Sequence, residues 1–67
     1  MKKIKDLREE QRDEYGDLTQ IELAAALNVT QASISRWEQD QLSISGKNLI
    51  KLSKYFKVSV DSLLGIE

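Results

Sequence analysis

Cysteine, histidine and proline are all missing from these 67 residues, and glycine occurs only three times. Without cysteine there is no disulfide framework and no thiolate metal site. Without histidine the commonest general base and the commonest zinc ligand are both gone. Nothing in the chain pairs a nucleophile with a base, cradles a phosphate on a glycine-rich loop, or converges carboxylates on one point. The expectation is therefore a protein that is not an enzyme and needs no cofactor or metal. No apolar run reaches the roughly 20 residues a membrane helix requires. The start, Met1-Lys2-Lys3-Ile4-Lys5-Asp6, returns to charge at once and has no signal-like apolar core. A cytoplasmic protein without a membrane partner is expected. No repeat or low-complexity tract interrupts the chain, so residues 1–67 are expected to form one domain, near the lower size limit for a purely hydrophobic core.

What is present is a divided charge distribution under a net charge of −1. Residues 1–28 carry Lys2, Lys3, Lys5, Arg8 and Arg12 against Asp6, Glu9, Glu10, Asp13, Glu14, Asp17 and Glu22. Residues 29–57 carry Arg36, Lys47, Lys51, Lys54 and Lys57 against only Glu38 and Asp40. The acidic total lowers affinity for nucleic acid in general but does not forbid specific binding by the positive half.

The most informative stretch, residues 18–38, runs from the acidic half into that positive half. Thr19 and Glu22 have the spacing of a capping box, and Ile21, Ala24, Ala25 and Leu27 follow with a helical period. Asn28 suits the left-handed exit of a sharp turn. Val29 can plug the angle between two helices, and Thr30 can cap the second. The outer surface of that second helix begins with Gln31, Ala32, Ser35 and Arg36, which are small or hydrogen-bonding and include no carboxylate. A helix, a tight turn and a helix led by amide and hydroxyl groups are what reading a DNA major groove requires.

Around this pair the sequence predicts three more helices and an all-α, five-helix fold. The first covers residues 3–15, with Ile4, Leu7, Gln11 and Tyr15 on one side and Gly16 just past its end. A polar loop at 39–44 leads to a fourth helix at 46–56 capped by Ser45, and Ser59 caps a fifth at 60–64 stopped by Gly65. The expected core is Leu7, Leu18, Leu23, Ala24, Leu27, Val29, Ile34, Leu49, Leu52, Phe56, Val58 and Leu63. Ala24 is small enough to let the two motif helices cross closely. Trp37 is expected to pack beside Ile34 with its ring partly buried.

Leu18-Thr19-Gln20, Glu22-Leu23-Ala24, Leu27-Asn28-Val29-Thr30 and Ile34-Ser35-Arg36-Trp37-Glu38 resemble the core motif of the Cro/CI-type helix-turn-helix family. That family holds phage repressors, bacterial regulators and antitoxins. Similarity continues through residues 48–53 and 58–65, and so covers nearly the whole chain. Two departures stand out: Asn28 replaces the usual glycine, and the connection from Leu7-Arg8 to Leu18 is longer than the common pattern. The resemblance implies a lambda-repressor-like DNA-binding domain and a transcriptional regulator, foremost a repressor bound as a homodimer to a palindromic double-stranded operator.

By the same resemblance, base contacts begin at Gln31 and Ala32. A glutamine can bond adenine bidentately and an alanine methyl can meet a thymine methyl, with Ser35 and Arg36 one turn on. Gln20, at a helix start, is implied to hold a phosphate and to support the first base-reading side chain. Thr30, Ser33, Gln39, Gln41, Lys47 and Asn48 are further phosphate candidates. Arg8 and Glu38 match a pair that ties the first helix to the end of the recognition helix. Val60, Leu64 and Ile66 give the carboxy-terminal end extra apolar surface, either a dimer interface or loose cover over the core. The alternative function is an antitoxin or regulatory subunit that neutralises a toxin or other protein partner, using Asp6, Glu10, Asp13 and Glu14 on the first helix. Those carboxylates equally suit a solvated face with Lys3, Lys5 and Arg12 as local partners.

Overall fold

Four side-chain caps set the starts of four helices in the computed structural model, which describes residues 1–11 and 13–66. The helices are α1 (Ile4–Glu10), α2 (Gln20–Leu27), α3 (Gln31–Gln39), α4 (Gly46–Phe56) and α5 (Val60–Leu64), with a 3-10 turn at Gln41–Ser43 between α3 and α4. Thr19 Oγ1 accepts from the Glu22 amide while Glu22 Oε1 accepts from the Thr19 amide, a complete capping box for α2. Thr30, Ser45 and Ser59 accept in the same way from Ser33, Asn48 and Ser62. Asn28 ends α2 at φ 58°, and Val29 N–H closes back on the Ala24 carbonyl at 2.9 Å. Lys57 does the same for α4 at φ 57°, a left-handed position that the sequence does not advertise with glycine or asparagine.

The first helix is shorter than its periodicity predicts. It stops at Glu10 rather than at residue 15, because the Arg8 carbonyl accepts from both Gln11 and Leu18 and the chain turns back. Asp13 and Gly16 exchange backbone hydrogen bonds across a tight turn, and Tyr15 N–H donates to Asp13 Oδ1 at 2.8 Å. Gly16 therefore shapes a turn at φ +114° instead of closing a helix, and Tyr15 is 89% exposed instead of facing the core. Arg12, within the predicted helix, lies outside the described residues.

The core joins Leu7 of α1, Leu23, Ala24 and Leu27 of α2, Ile34 of α3, Leu49, Leu52 and Phe56 of α4, and Leu63 of α5. Three members stand beyond the expected set: Ile4, Ile44 and Trp37, the last packed as expected but more deeply, at 6% exposure. Leu18, Val29 and Val58 are half-buried against this core, as are Val60 and Leu64. One polar side chain is also inside. Gln41 accepts from Ile4 N–H and donates to the carbonyls of Lys2 (2.6 Å) and Leu63 (2.8 Å), joining the amino terminus, the 3-10 turn and α5. Among the described residues, no helix is long and apolar enough to cross a membrane.

Candidate nucleic-acid interface

The third helix buries Ile34 and Trp37 and so turns its opposite face outward. On that face Gln31, Ala32, Arg36 and Gln39 are exposed and Ser35 is half-buried, with Gln39 Nε2 3.5 Å from Ser35 Oγ. Thr30 and Ser33 stand at the helix start, their hydroxyls 2.9 Å apart and Thr30 Oγ1 taking the Ser33 amide. Lys47, exposed, and Asn48, half-buried, lie in the first turn of α4, which contains no acidic residue. Gln41 does not belong with these residues. Its amide is buried and its N–H groups are committed to Lys2 and Leu63, so the expected phosphate contact through this side chain is withdrawn.

Behind the exposed face runs a chain of side-chain hydrogen bonds. Arg8 meets Glu38 through two of its nitrogens: Nε donates to Oε2 at 2.7 Å and Nη2 to Oε1 at 3.0 Å. Nη1 donates to the Leu18 carbonyl at 2.9 Å, so the guanidinium also holds the end of the long first connection. Glu38 Oε1 accepts in addition from Gln20 Nε2 at 3.2 Å, and Gln20 Oε1 accepts from Gln31 Nε2 at 3.5 Å. The Arg8–Glu38 pair expected from the resemblance is thus formed, with both side chains only 12% exposed. The hydrogen bond to Glu38 pushes the Arg8 pKa above its ordinary value, against the opposing effect of burial.

The chemistry of this chain fixes the direction of each amide. An ionised carboxylate can only accept, so Gln20 must turn its NH2 toward Glu38 and its carbonyl oxygen toward Gln31. Gln31 then spends one N–H on Gln20 and presents the other, together with its carbonyl oxygen, to the outside. Because Arg8 neutralises Glu38, Asp40 remains as the one uncompensated carboxylate among residues 29–57.

Two supports escaped the sequence. Lys51 Nζ caps the open carbonyl end of α2 by donating to Leu27 O at 3.1 Å, and Ser53 Oγ donates to Val58 O at 2.6 Å beyond the end of α4. A lysine one turn inside a helix carries no sequence signal that it will reach another helix's carbonyl. Among the expected dimer residues, Val60 and Leu64 are half-buried and Ile66 is 70% exposed.

Two helices packed across a left-handed asparagine turn, the second with a polar, carboxylate-free outer face, define a lambda-repressor-like DNA-binding domain. A family model described as helix-turn-helix matches residues 4–63. The chain belongs to the Cro/CI-type helix-turn-helix family and is a DNA-binding regulator. No curated protein and no solved structure matches it.

Proposed function

We propose that this regulator is a repressor, acting by occupying a palindromic operator as a homodimer. The observation that carries the reading is the hydrogen-bond chain from Arg8 to Gln31. It leaves Gln31 with one N–H and one carbonyl oxygen outward, the complement of the N7 and N6 edge of adenine. The Ala32 methyl beside it suits a thymine methyl, and Ser35 and Arg36 continue the base-reading face one turn further. Gln20, Thr30, Ser33, Gln39, Lys47 and Asn48 surround that face as donors to the phosphates on either side. A second copy, joined through the exposed Ile66 and the outer edges of Val60 and Leu64, would set the two recognition helices about 34 Å apart, one turn of duplex.

Selection of bound sequences from random duplexes gives the operator and its symmetry, and single-base variants of that operator then test the reading. Gln31→Ala should cost about 1–3 kcal/mol at one base pair per half-site and relax the preference there. A Gln31→Ala protein with the full wild-type base preference would refute reading through the first turn of α3. Selected sites without two-fold symmetry would refute the palindromic dimer.

A further inference from the structure

On the flank of the molecule, the end of α2 and the last turns of α4 enclose an open groove of about 460 Å³. Its walls are Ala26, Leu27 and Asn28 from α2 and Lys51, Lys54 and Tyr55 from α4. The groove combines aliphatic carbon, one aromatic ring and two ammonium groups, with no carboxylate among its lining residues. Lys51 is held in place by its bond to Leu27 O, which also offsets the negative end of α2. Lys54 is exposed, and Lys57 stands one turn beyond it.

The same chain carries a segment of the opposite character. The turn at residues 13–17 reads Asp-Glu-Tyr-Gly-Asp and follows Glu9 and Glu10 at the end of α1. Its shape is set by the paired backbone bonds of Asp13 and Gly16 and by the Asp13 side chain on Tyr15 N–H. A ring that is 89% exposed is therefore displayed on a pre-shaped acidic turn, which loses little freedom on docking.

We propose that the Tyr15 turn of one copy docks into the α2–α4 groove of a second copy. The ring enters between Leu27 and Tyr55, and Glu14 and its acidic neighbours face Lys51 and Lys54. Charge and surface type match on both sides, and neither patch includes a residue of the DNA-reading face. The turn and the groove are different patches, and neither includes residues 60–66, so the contact uses none of the carboxy-terminal surface. It is thus distinct from the carboxy-terminal dimer and stands whether or not that dimer forms. A contact of this size is weak, so it belongs to crowded copies and is read at about millimolar protein.

The test mixes two full-length variants that each keep one half of the contact. Tyr15→Ala removes the exposed ring and leaves the groove; Lys54→Glu spoils the groove and leaves the turn. When unlabelled Lys54→Glu protein is added to ¹⁵N-labelled Tyr15→Ala protein, amide shifts should appear at residues 26–28 and 51–55. With the labels exchanged they should appear at residues 13–17. Both sets should fade in about 1 M salt, where screening acts within about 3 Å. Adding unlabelled Tyr15→Ala protein to the labelled Tyr15→Ala sample should weaken the groove response at least about tenfold, since no docking ring is present. Equal response to both additions overturns the proposal, as do shifts confined to residues 60–66. No groove shift at millimolar concentration also overturns it.

Discussion

Replacing Glu38 with alanine strips partners from three donors at once: Nε and Nη2 of Arg8, and the Gln20 amide. A guanidinium left partly buried with only the Leu18 carbonyl is the costly product. Breaking one side of a fully buried ion pair costs about 3–5 kcal/mol, whereas an exposed pair is worth under about 1. With both side chains 12% exposed, the pair lies nearer the buried limit, but water can reach the abandoned guanidinium. About 2–3 kcal/mol of lost stability is therefore expected. For a domain of this size that lowers Tm by about 10–20 °C.

Thermal and urea unfolding of the wild type, Arg8→Ala, Glu38→Ala and the double variant would give the coupling directly. A coupling of about 1.5–2.5 kcal/mol is expected, and one below about 0.5 kcal/mol refutes the link. The pH dependence has a defined sign. Arg8 has its pKa raised in the fold, so its contribution is fully present below the unfolded value and is lost only as pH climbs through the raised one. Raising pH across the neutral range should therefore not weaken the link from the arginine side. DNA affinity adds a second readout, because Glu38→Ala frees Gln20 to rotate and scrambles the donor order presented by Gln31. At a temperature where each variant is folded, Glu38→Ala should lose discrimination at the Gln31 base pair. Full discrimination there would refute the orienting role while leaving the stabilising one.

Gln41→Leu keeps the bulk but orphans Ile4 N–H and the Lys2 and Leu63 carbonyls, so urea titration should show a loss of about 2–4 kcal/mol; an unchanged midpoint contradicts the clasp. Ile66→Asp changes an exposed side chain and should leave Tm within a few degrees. It should nonetheless weaken binding to a two-half-site operator far more than to one half-site, and equal losses on both DNAs argue against a carboxy-terminal dimer. Lys47→Ala should weaken binding to all sequences alike and reduce the salt slope by about 1 per protomer, unlike a base-reading substitution.

The fold was legible where its signals are local. Thr19 with Glu22, Thr30, Ser45 and Ser59 each act within three residues, so the starts of four helices could be placed from spacing alone. The end of α1 was not, since the apolar period through Tyr15 favours continuing the helix. What overrules it is nonlocal: the Arg8 guanidinium donates to the Leu18 carbonyl, and the Arg8 carbonyl accepts from Leu18 N–H. The burial of Gln41 was hidden for the same reason, its partners lying 37, 39 and 22 residues away. A glutamine in a polar loop has no local mark that separates a phosphate donor from an interior clasp. At the candidate interface the outward face of α3 followed from the helical period, because burying Ile34 and Trp37 forces residues 31, 32, 35 and 36 outward. The order of donors and acceptors along Glu38, Gln20 and Gln31 needed three side chains from two helices and could not be read from spacing.

Few cations stand on the reading side: Arg36 on α3 and Lys47 at the start of α4, with Lys51 drawn back to Leu27. A protein so equipped releases few counterions, and its sequence-independent affinity is correspondingly low. Selectivity for an operator then has to come from neutral donors, and neutral donors discriminate only if they are held in one orientation. An amide free to flip accepts and donates at the same point and tells adenine from its competitors poorly. Here the orientation originates in a partly buried ion pair. Glu38 faces Gln20 as an acceptor while Arg8 pairs with it from the far side, and that polarity passes unreversed to Gln31. Under the proposed reading, the acidic first segment and the ion pair at its edge are two parts of one arrangement: the former would suppress indiscriminate binding, and the latter would sharpen what binding remains.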